Sequence, residues 1–193
     1  MAKKSTRNTR GRIVSAAWKL FYEQGYEDTT VEEIIELSGT SKGSFYHYFD
    51  GKDALLSTLS SLFDEKYEEL TGLLTPEMTA MEQLLFLNRE LFHMIEDSIS
   101  LDLLARLYST QLTTNGEKHL LDHNRIYYKL LRKIIAKGQA EGQLSSRSNV
   151  NEMVKLYALC ERALLYDWCL CAGEYALTEY SANVQGMQPA LVS

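Results

Sequence analysis

Between Gly39 and Asp50 the chain reads Thr40-Ser41-Lys42-Gly43-Ser44-Phe45-Tyr46-His47-Tyr48-Phe49, short, aromatic and nearly free of acids. Two short helices joined by a glycine turn, the second opening with Ser-Lys-Gly and carrying outward tyrosines, suit a helix-turn-helix that places polar groups in a DNA major groove. Phe45 and Phe49 are four apart and share the buried face, so part of the Tyr46, His47 and Tyr48 group must look outward. Gly43 lets the backbone approach closely, lysine and tyrosine reach phosphate or base edges, and helix N-termini at Thr30 and Lys52 offer N–H donors to phosphates.

Catalytic chemistry has no comparable pattern. No Ser/His/Asp, Cys/His or paired-carboxylate arrangement stands out, no HExxH is present, and no glycine-rich phosphate loop precedes a helix. His123 with Glu161 forms an acid–base couple only if the fold brings the two together. Cys160, Cys169 and Cys171 are odd in number, clustered in one apolar segment and without metal-ligand spacing, which predicts buried free thiols rather than a disulfide framework. No cofactor and no metal is expected.

The elements that must position these residues read as helices throughout. The first is predicted from about Thr9 to Gln24, because Ile13, Ala16, Ala17, Leu20 and Phe21 recur at helical spacing. The second starts after Thr29-Thr30, carries Glu32 and Glu33 in its first turn and ends at Ser38-Gly39. After the Thr40–Phe49 stretch, Asp50-Gly51 stops the helix and Lys52-Asp53 opens a longer one reaching about Leu74. Helices over roughly 77–96, 101–112, 117–141 and 149–172 follow, and a weaker segment covers 175–187. Between Leu156 and Cys171 the chain is apolar on nearly all sides. A helix of that kind is covered on more than one side, which predicts contact with a second subunit.

The chain has 193 residues, 45% of them hydrophobic and 24% charged, with only two prolines, which is the composition of a soluble globular protein large enough to bury a substantial core. No apolar run approaches the roughly 18 to 20 residues of a membrane span, and the basic, polar start does not read as a signal peptide, so a cytoplasmic location without a membrane partner is expected. The net charge of −6 argues at first against nucleic acid. Its distribution reverses that argument: residues 1–12 hold Lys3, Lys4, Arg7, Arg10 and Arg12 with no acid, whereas residues 53–193 hold 12 basic and 19 acidic groups. The anion-seeking surface is therefore N-terminal.

The run Phe21…Gly25-Tyr26…Thr29-Thr30-Val31…Ile34…Gly39-Thr40-Ser41-Lys42-Gly43-Ser44-Phe45-Tyr46-His47-Tyr48-Phe49…Lys52-Asp53…Leu55 resembles the DNA-binding domain of the TetR (tetracycline-repressor-like) family of transcriptional regulators. The resemblance covers roughly residues 8–56. It implies an all-α protein: a helix-turn-helix domain with a basic arm over residues 1–52, then a helical ligand-binding and dimerisation domain over 53–193. It also implies a homodimer that binds a palindromic operator in double-stranded DNA and is released by a small-molecule effector. By position, Lys42, Gly43 and Tyr46 resemble the family's groove-contacting residues, and Thr30, Ser41, His47, Tyr48 and Lys52 its phosphate-contacting ones; Thr40 belongs to the same interface. Two positions depart from the family's pattern: Ile35 stands where alanine is usual, and Thr40 where an apolar residue is usual.

The effector site is read from polar residues on inward faces. Asn88 falls among Leu84, Leu91 and Ile95, while His123 and Asn124 fall on the stripe of Tyr127, Leu130, Leu131 and Ile134. Glu161 interrupts Val154, Ala158, Leu165 and Trp168. Such groups need partners, either one another or a ligand. Phe63, Tyr67, Phe92, His93, Tyr108, Tyr127 and Trp168 supply aromatic walls. The homodimer is expected through the 149–172 helix and the C-terminal helix after it. Two other readings remain at this stage, a DNA-binding adaptor without a small-molecule ligand and a helical enzyme.

Overall fold

Capping chemistry decides where four of the helices begin. In the computed structural model the backbone is described for residues 2–113 and 118–186, and side chains for 9–113 and 118–181. Over these residues the helices are α1 (Ala2–Glu23), α2 (Val31–Ser38), α3 (Lys42–Tyr48), α4 (Lys52–Leu56), α5 (Leu59–Thr71), α6 (Ala80–Ser98), α7 (Leu101–Thr113), α8 (Ile126–Ala140), α9 (Val150–Leu170) and α10 (Leu177–Gly186), and no strand is present. Thr30, Thr79 and Asn149 each accept a backbone N–H at the third helical position, and a glutamate there reaches back to the cap, so α2, α6 and α9 open with complete capping boxes. Ser41 caps α3 by accepting from the Ser44 N–H at 3.1 Å. Gly39, at φ 60°, takes the left-handed conformation that ends α2 and turns the chain into α3.

Helices α1, α2 and α3 pack on one another around Ile13, Ala17, Phe21, Ile34 and Phe45, all fully buried or nearly so. Each of the isoleucine and phenylalanine side chains contributes about 1.5–3 kcal/mol of burial. The second half is a bundle in which α6 lies against α5, α8 and α10, and α9 lies against α7, α8 and α10. Helix α4 packs on α7, so the two halves touch beyond their covalent link.

Four expectations are corrected. Helix α1 begins at Ala2 rather than Thr9, because alanine, lysine and arginine are good helix formers and nothing before Gly11 stops them; the side chains of Lys3, Lys4 and Arg7 lie outside the described residues. The single helix expected from Lys52 to Leu74 is broken at Ser57-Thr58. There the hydroxyls of Ser57, Thr58 and Ser60 donate back to the carbonyls of Ala54, Leu55 and Ser57 at 2.6–2.8 Å, and the ladder tightens to Thr58 N–H to Leu55 carbonyl at 2.9 Å. Trp18 Nε1 fixes this joint by donating to Thr58 Oγ1 at 2.8 Å. The helix expected from Glu117, itself outside the described residues, starts at Ile126, because residues 118–125 form a loop with one 3-10 turn at His119–Leu121. Finally, the cysteines are free but partly exposed rather than buried. The C-terminal segment forms α10, with Met187 outside the described residues.

Helix α8 is closely approached at Gly138. A Cβ there would stand 2.5 Å from the Ala80 Cβ and 2.8 Å from Leu144 Cδ1. Gly138→Ala is therefore expected to lower stability by about 1–3 kcal/mol through overpacking, despite alanine's better helix propensity. Denaturant midpoints would check this. Adding Ala80→Gly should recover part of the loss, and a single variant as stable as the parent would contradict the packing.

Candidate nucleic-acid interface and ligand cavity

Helix α3 rests on the core through Phe45 and Phe49, whose ring centroids are 5.9 Å apart. That contact turns Ser41, Lys42, Gly43, Tyr46 and His47 outward, with Tyr46 46% exposed. Tyr48 is half-buried, its ring edge-on to His47 at 4.8 Å. Thr40 is half-buried, and its hydroxyl pairs with that of Ser38 at 2.8 Å, which satisfies a polar group where an apolar one was expected. Ile35 is half-buried against the core. Lys42 Nζ lies 3.5 Å from Glu32, but both side chains are about 70% exposed, so this pair is weak and gives way readily to a phosphate. Two cations of α1 flank the unit: the Arg10 guanidinium is 5.4 Å from the Phe49 ring centroid, and Arg12 Nη1 reaches the Gly39 carbonyl at 3.5 Å.

Thr30 and Lys52 are placed differently from the expectation of free phosphate donors. The Thr30 N–H and hydroxyl both donate to Glu33, at 2.7 and 2.8 Å. Those bonds hold the Glu33 carboxyl below the usual carboxylate range. Lys52 points inward, where Nζ donates to the carbonyls of Tyr26 at 2.6 Å, Thr29 at 2.9 Å and Glu27 at 3.3 Å. It also stands 4.3 Å from the Tyr26 ring centroid. Arg106 of α7 lies over the same ring at 4.9 Å and pairs with Glu27, while the Tyr26 hydroxyl donates to Asp53. This seam was not foreseen, because Tyr26 and Arg106 are 80 positions apart and no local pattern links them.

In the bundle, Phe63, Tyr67, Phe92, Tyr108, Tyr127 and Glu161 converge on a small cavity of about 40 Å³, completed by apolar groups, Arg125 and Arg162. An open cavity of about 420 Å³ adjoins it, sharing Tyr108, Leu120 and Arg162 and walled by Leu112, Leu121, Leu159 and Tyr166. Asn88 joins the buried network by donating to Glu161 Oε1 at 2.8 Å, and the Tyr127 hydroxyl donates to Oε2. Asn88 also borders a separate open groove of about 640 Å³ beside Glu77, Arg89 and Ser181, away from the aromatic walls. Burial pushes the Glu161 carboxyl up, outweighing the hydrogen bonds from Tyr127, Asn88 and Tyr157 that lower it. Arg125 is a missed contributor: it chelates Asp64 at 3.0 and 3.1 Å and ties the start of α8 to α5.

Four expected cavity residues lie elsewhere, the first being His93, which is exposed on α6 with Nδ1 2.8 Å from an Asp97 carboxylate oxygen. His123 and Asn124 are exposed, because the loop before Ile126 keeps them off the α8 stripe; His123 stacks on Tyr128 at 4.7 Å, and the Asn124 N–H caps onto Asp122 at 2.8 Å. His123 and Glu161 therefore form no acid–base couple. Trp168 is buried at the α9–α10 turn, with Nε1 donating to the Tyr175 carbonyl at 2.9 Å. Among the described residues no cluster of His, Cys, Asp or Glu could hold a metal ion, and no helix is long and apolar enough to cross a membrane.

An outward tyrosine-bearing helix on a three-helix unit, joined to a helical bundle with an aromatic cavity, is a helix-turn-helix architecture. Residues 13–59 match the profile described as bacterial regulatory proteins, tetR family. An uncharacterised HTH-type regulator from the lacX 3′ region of Lactococcus lactis subsp. lactis is 39% identical over 56 residues, 28% of this chain and 29% of that protein. The first curated relatives are all covered over less than a third of their length. A longer match, 26% identical over 147 residues, is to the uncharacterised HTH-type regulator YvdT of Bacillus subtilis, covering 76% of this chain and 75% of that one. Among solved structures, Thermus thermophilus FadR, a TetR-family repressor crystallised with lauroyl-CoA, superposes with a TM-score of 0.77 at 24% identity over 95% of both chains. At that identity the likeness establishes a shared fold.

The raised Glu161 carboxyl gives a pH signature. The folded protein keeps this proton to higher pH than the unfolded chain, so its contribution to stability is complete below about pH 4, near the unfolded carboxyl's range, and is lost as pH rises through the folded value. Glu161→Gln cannot titrate. Its stability relative to the parent should therefore increase as pH rises from acid to neutral, read from thermal midpoints at each pH. Parallel curves for the two proteins would contradict the assignment.

Proposed function

We propose that the protein is a ligand-responsive transcriptional regulator acting as a repressor in the cytoplasm. It binds a palindromic operator as a homodimer and is released by a small-molecule effector. Residues 1–52 read DNA, and residues 53–193 sense the effector and dimerise. The observation that carries this reading is the outward face of α3, where Ser41, Lys42, Gly43, Tyr46 and His47 stand exposed on a rigid aromatic footing. Lys42, Gly43 and Tyr46 are suited to base edges, and Ser41, His47 and Tyr48 to the sugar-phosphate backbone.

The dimer is supported by α9. Leu156, Leu159, Tyr166 and Leu170 form an exposed apolar stripe along it, with Leu170 66% exposed. An apolar stripe of that length on a surface helix marks an interaction site. A second copy laid against α9 and α10 covers it and relates two α3 helices by a two-fold axis. The half-sites must then lie about 34–36 Å apart, or a multiple of that, so a small change in helix separation spoils the fit. An effector acts by binding the non-operator conformation more tightly, and the operator must weaken effector binding by the same factor.

Selection of bound sequences from random duplex DNA tests this directly. The expected product is an inverted repeat bound by two chains, with affinity falling steeply as salt rises. Tyr46→Ala should cost about 1–3 kcal/mol of discrimination between the selected site and random DNA, while leaving non-specific binding in place. An absence of sequence preference, or a single unrepeated site bound by one chain, would contradict the proposal.

A further inference from the structure

The chemistry of the inner cavity separates effector classes. Glu161 is 5% exposed and its carboxyl is met by neutral donors. Among the described residues no ion pair includes it. The two guanidinium groups that border the cavity are engaged elsewhere: Arg125 is chelated by Asp64, and Arg162 Nη1 donates to the Tyr128 hydroxyl at 3.0 Å. The carboxyl is thus hydrogen-bonded by neutral groups without a direct ion pair, and the charge of the nearby Arg162 favours its ionised form less than burial disfavours it. Burial without a direct cationic partner disfavours the charged carboxylate, so the site holds a proton when empty or takes a cation when filled. Around it stand the rings of Phe63, Tyr67, Phe92, Tyr108 and Tyr127, and the faces of such rings attract cations.

Resting on the effector-binding reading above, we propose that the effector is a lipophilic organic cation whose charged end meets Glu161 inside the aromatic walls. Its apolar body occupies the adjoining cavity, whose open side, walled by Leu159 and Tyr166, lies on the face that the second copy covers. The inner space of about 40 Å³ holds little more than one water, so Tyr108 and Arg162, which border both spaces, move aside to admit the charged end. The outer cavity, at about 420 Å³, is within the usual range for drug-sized ligands and is lined mostly by leucine and tyrosine.

The same residues offer a competing chemistry, an anionic amphiphile with its head held at the mouth by Arg162 and Lys118. The balance favours the cation. Arg162 is only partly buried, and its charge is screened by water, whereas Glu161 lies in low dielectric, where a unit charge is worth several times more.

Probes with matched ten-carbon tails test the inference: decyltrimethylammonium, 1-decanol and decanoate, with lauroyl-CoA as a second anion, each titrated calorimetrically into the full-length protein. Decyltrimethylammonium is expected to bind at least tenfold more tightly than the other three. Glu161→Gln should lower that affinity at least tenfold and leave 1-decanol unchanged. If Glu161→Gln fails to fold, Tyr108→Leu replaces it and should weaken the cation more than the alcohol. Tighter binding of decanoate or lauroyl-CoA, or cation binding indifferent to both substitutions, overturns the charge assignment while leaving a ligand sensor in place. No binding of any probe overturns this inference and removes the support for an effector site in this cavity.

Discussion

The ring of Tyr26 is held by two cations, Lys52 and Arg106, and the relation between the two halves of the molecule depends on those contacts. Lys52 Nζ approaches at 4.3 Å and the Arg106 guanidinium at 4.9 Å. Each contact of this kind is worth about 0.5–2 kcal/mol, depending on how dry it is. The geometry adds more than the energy. Lys52 ties the loop between α1 and α2 to the start of α4 through three carbonyls, Asp53 accepts the Tyr26 hydroxyl, and Arg106 brings in α7. Burial and the Asp53 carboxylate push the phenol pKa up, so Tyr26 stays a neutral donor at every physiological pH. An outward α3 is useful only if its base is fixed, and this seam fixes the base.

Helix α7 gives the seam a functional reach. Arg106 faces Tyr26, while the next two residues, Leu107 and Tyr108, border the inner cavity. A ligand that displaces Tyr108 therefore acts on the helix that carries Arg106. Helix α5 offers a second route, because Phe63 and Tyr67 line the cavity and α5 meets α4 at the Thr58 joint held by Trp18. Interiors packed at crystal-like density switch between discrete arrangements rather than deforming smoothly. A cavity that must open to admit a ligand is suited to drive such a switch.

Much of this was legible in the chain. The helices, the Thr30 cap, the Gly39 turn and the outward side of α3 follow from spacing and capping residues, which act over four positions or fewer. Convergence of Phe63, Tyr67, Phe92, Tyr108, Tyr127 and Glu161 was also readable, because helical periodicity puts each on an inward face. The errors have physical causes. His123 and Asn124 were placed on a helix that starts three residues after His123, and the break at Ser57-Thr58 was passed over although its run of hydroxyls was visible. Lys52 looked like a phosphate ligand because local pattern cannot show that three carbonyls more than twenty residues away claim its ammonium. The seam itself was invisible for the same reason: it joins the loop after the first helix to the fourth and seventh helices, which only the packed fold brings together.

The claim that control passes through this seam is tested most directly by amide hydrogen exchange on the full-length protein carrying Arg106→Ala. The account predicts faster exchange in residues 26–34 and 52–56, with α8 and α9 unchanged. An increase confined to α7, or none at all, would contradict it.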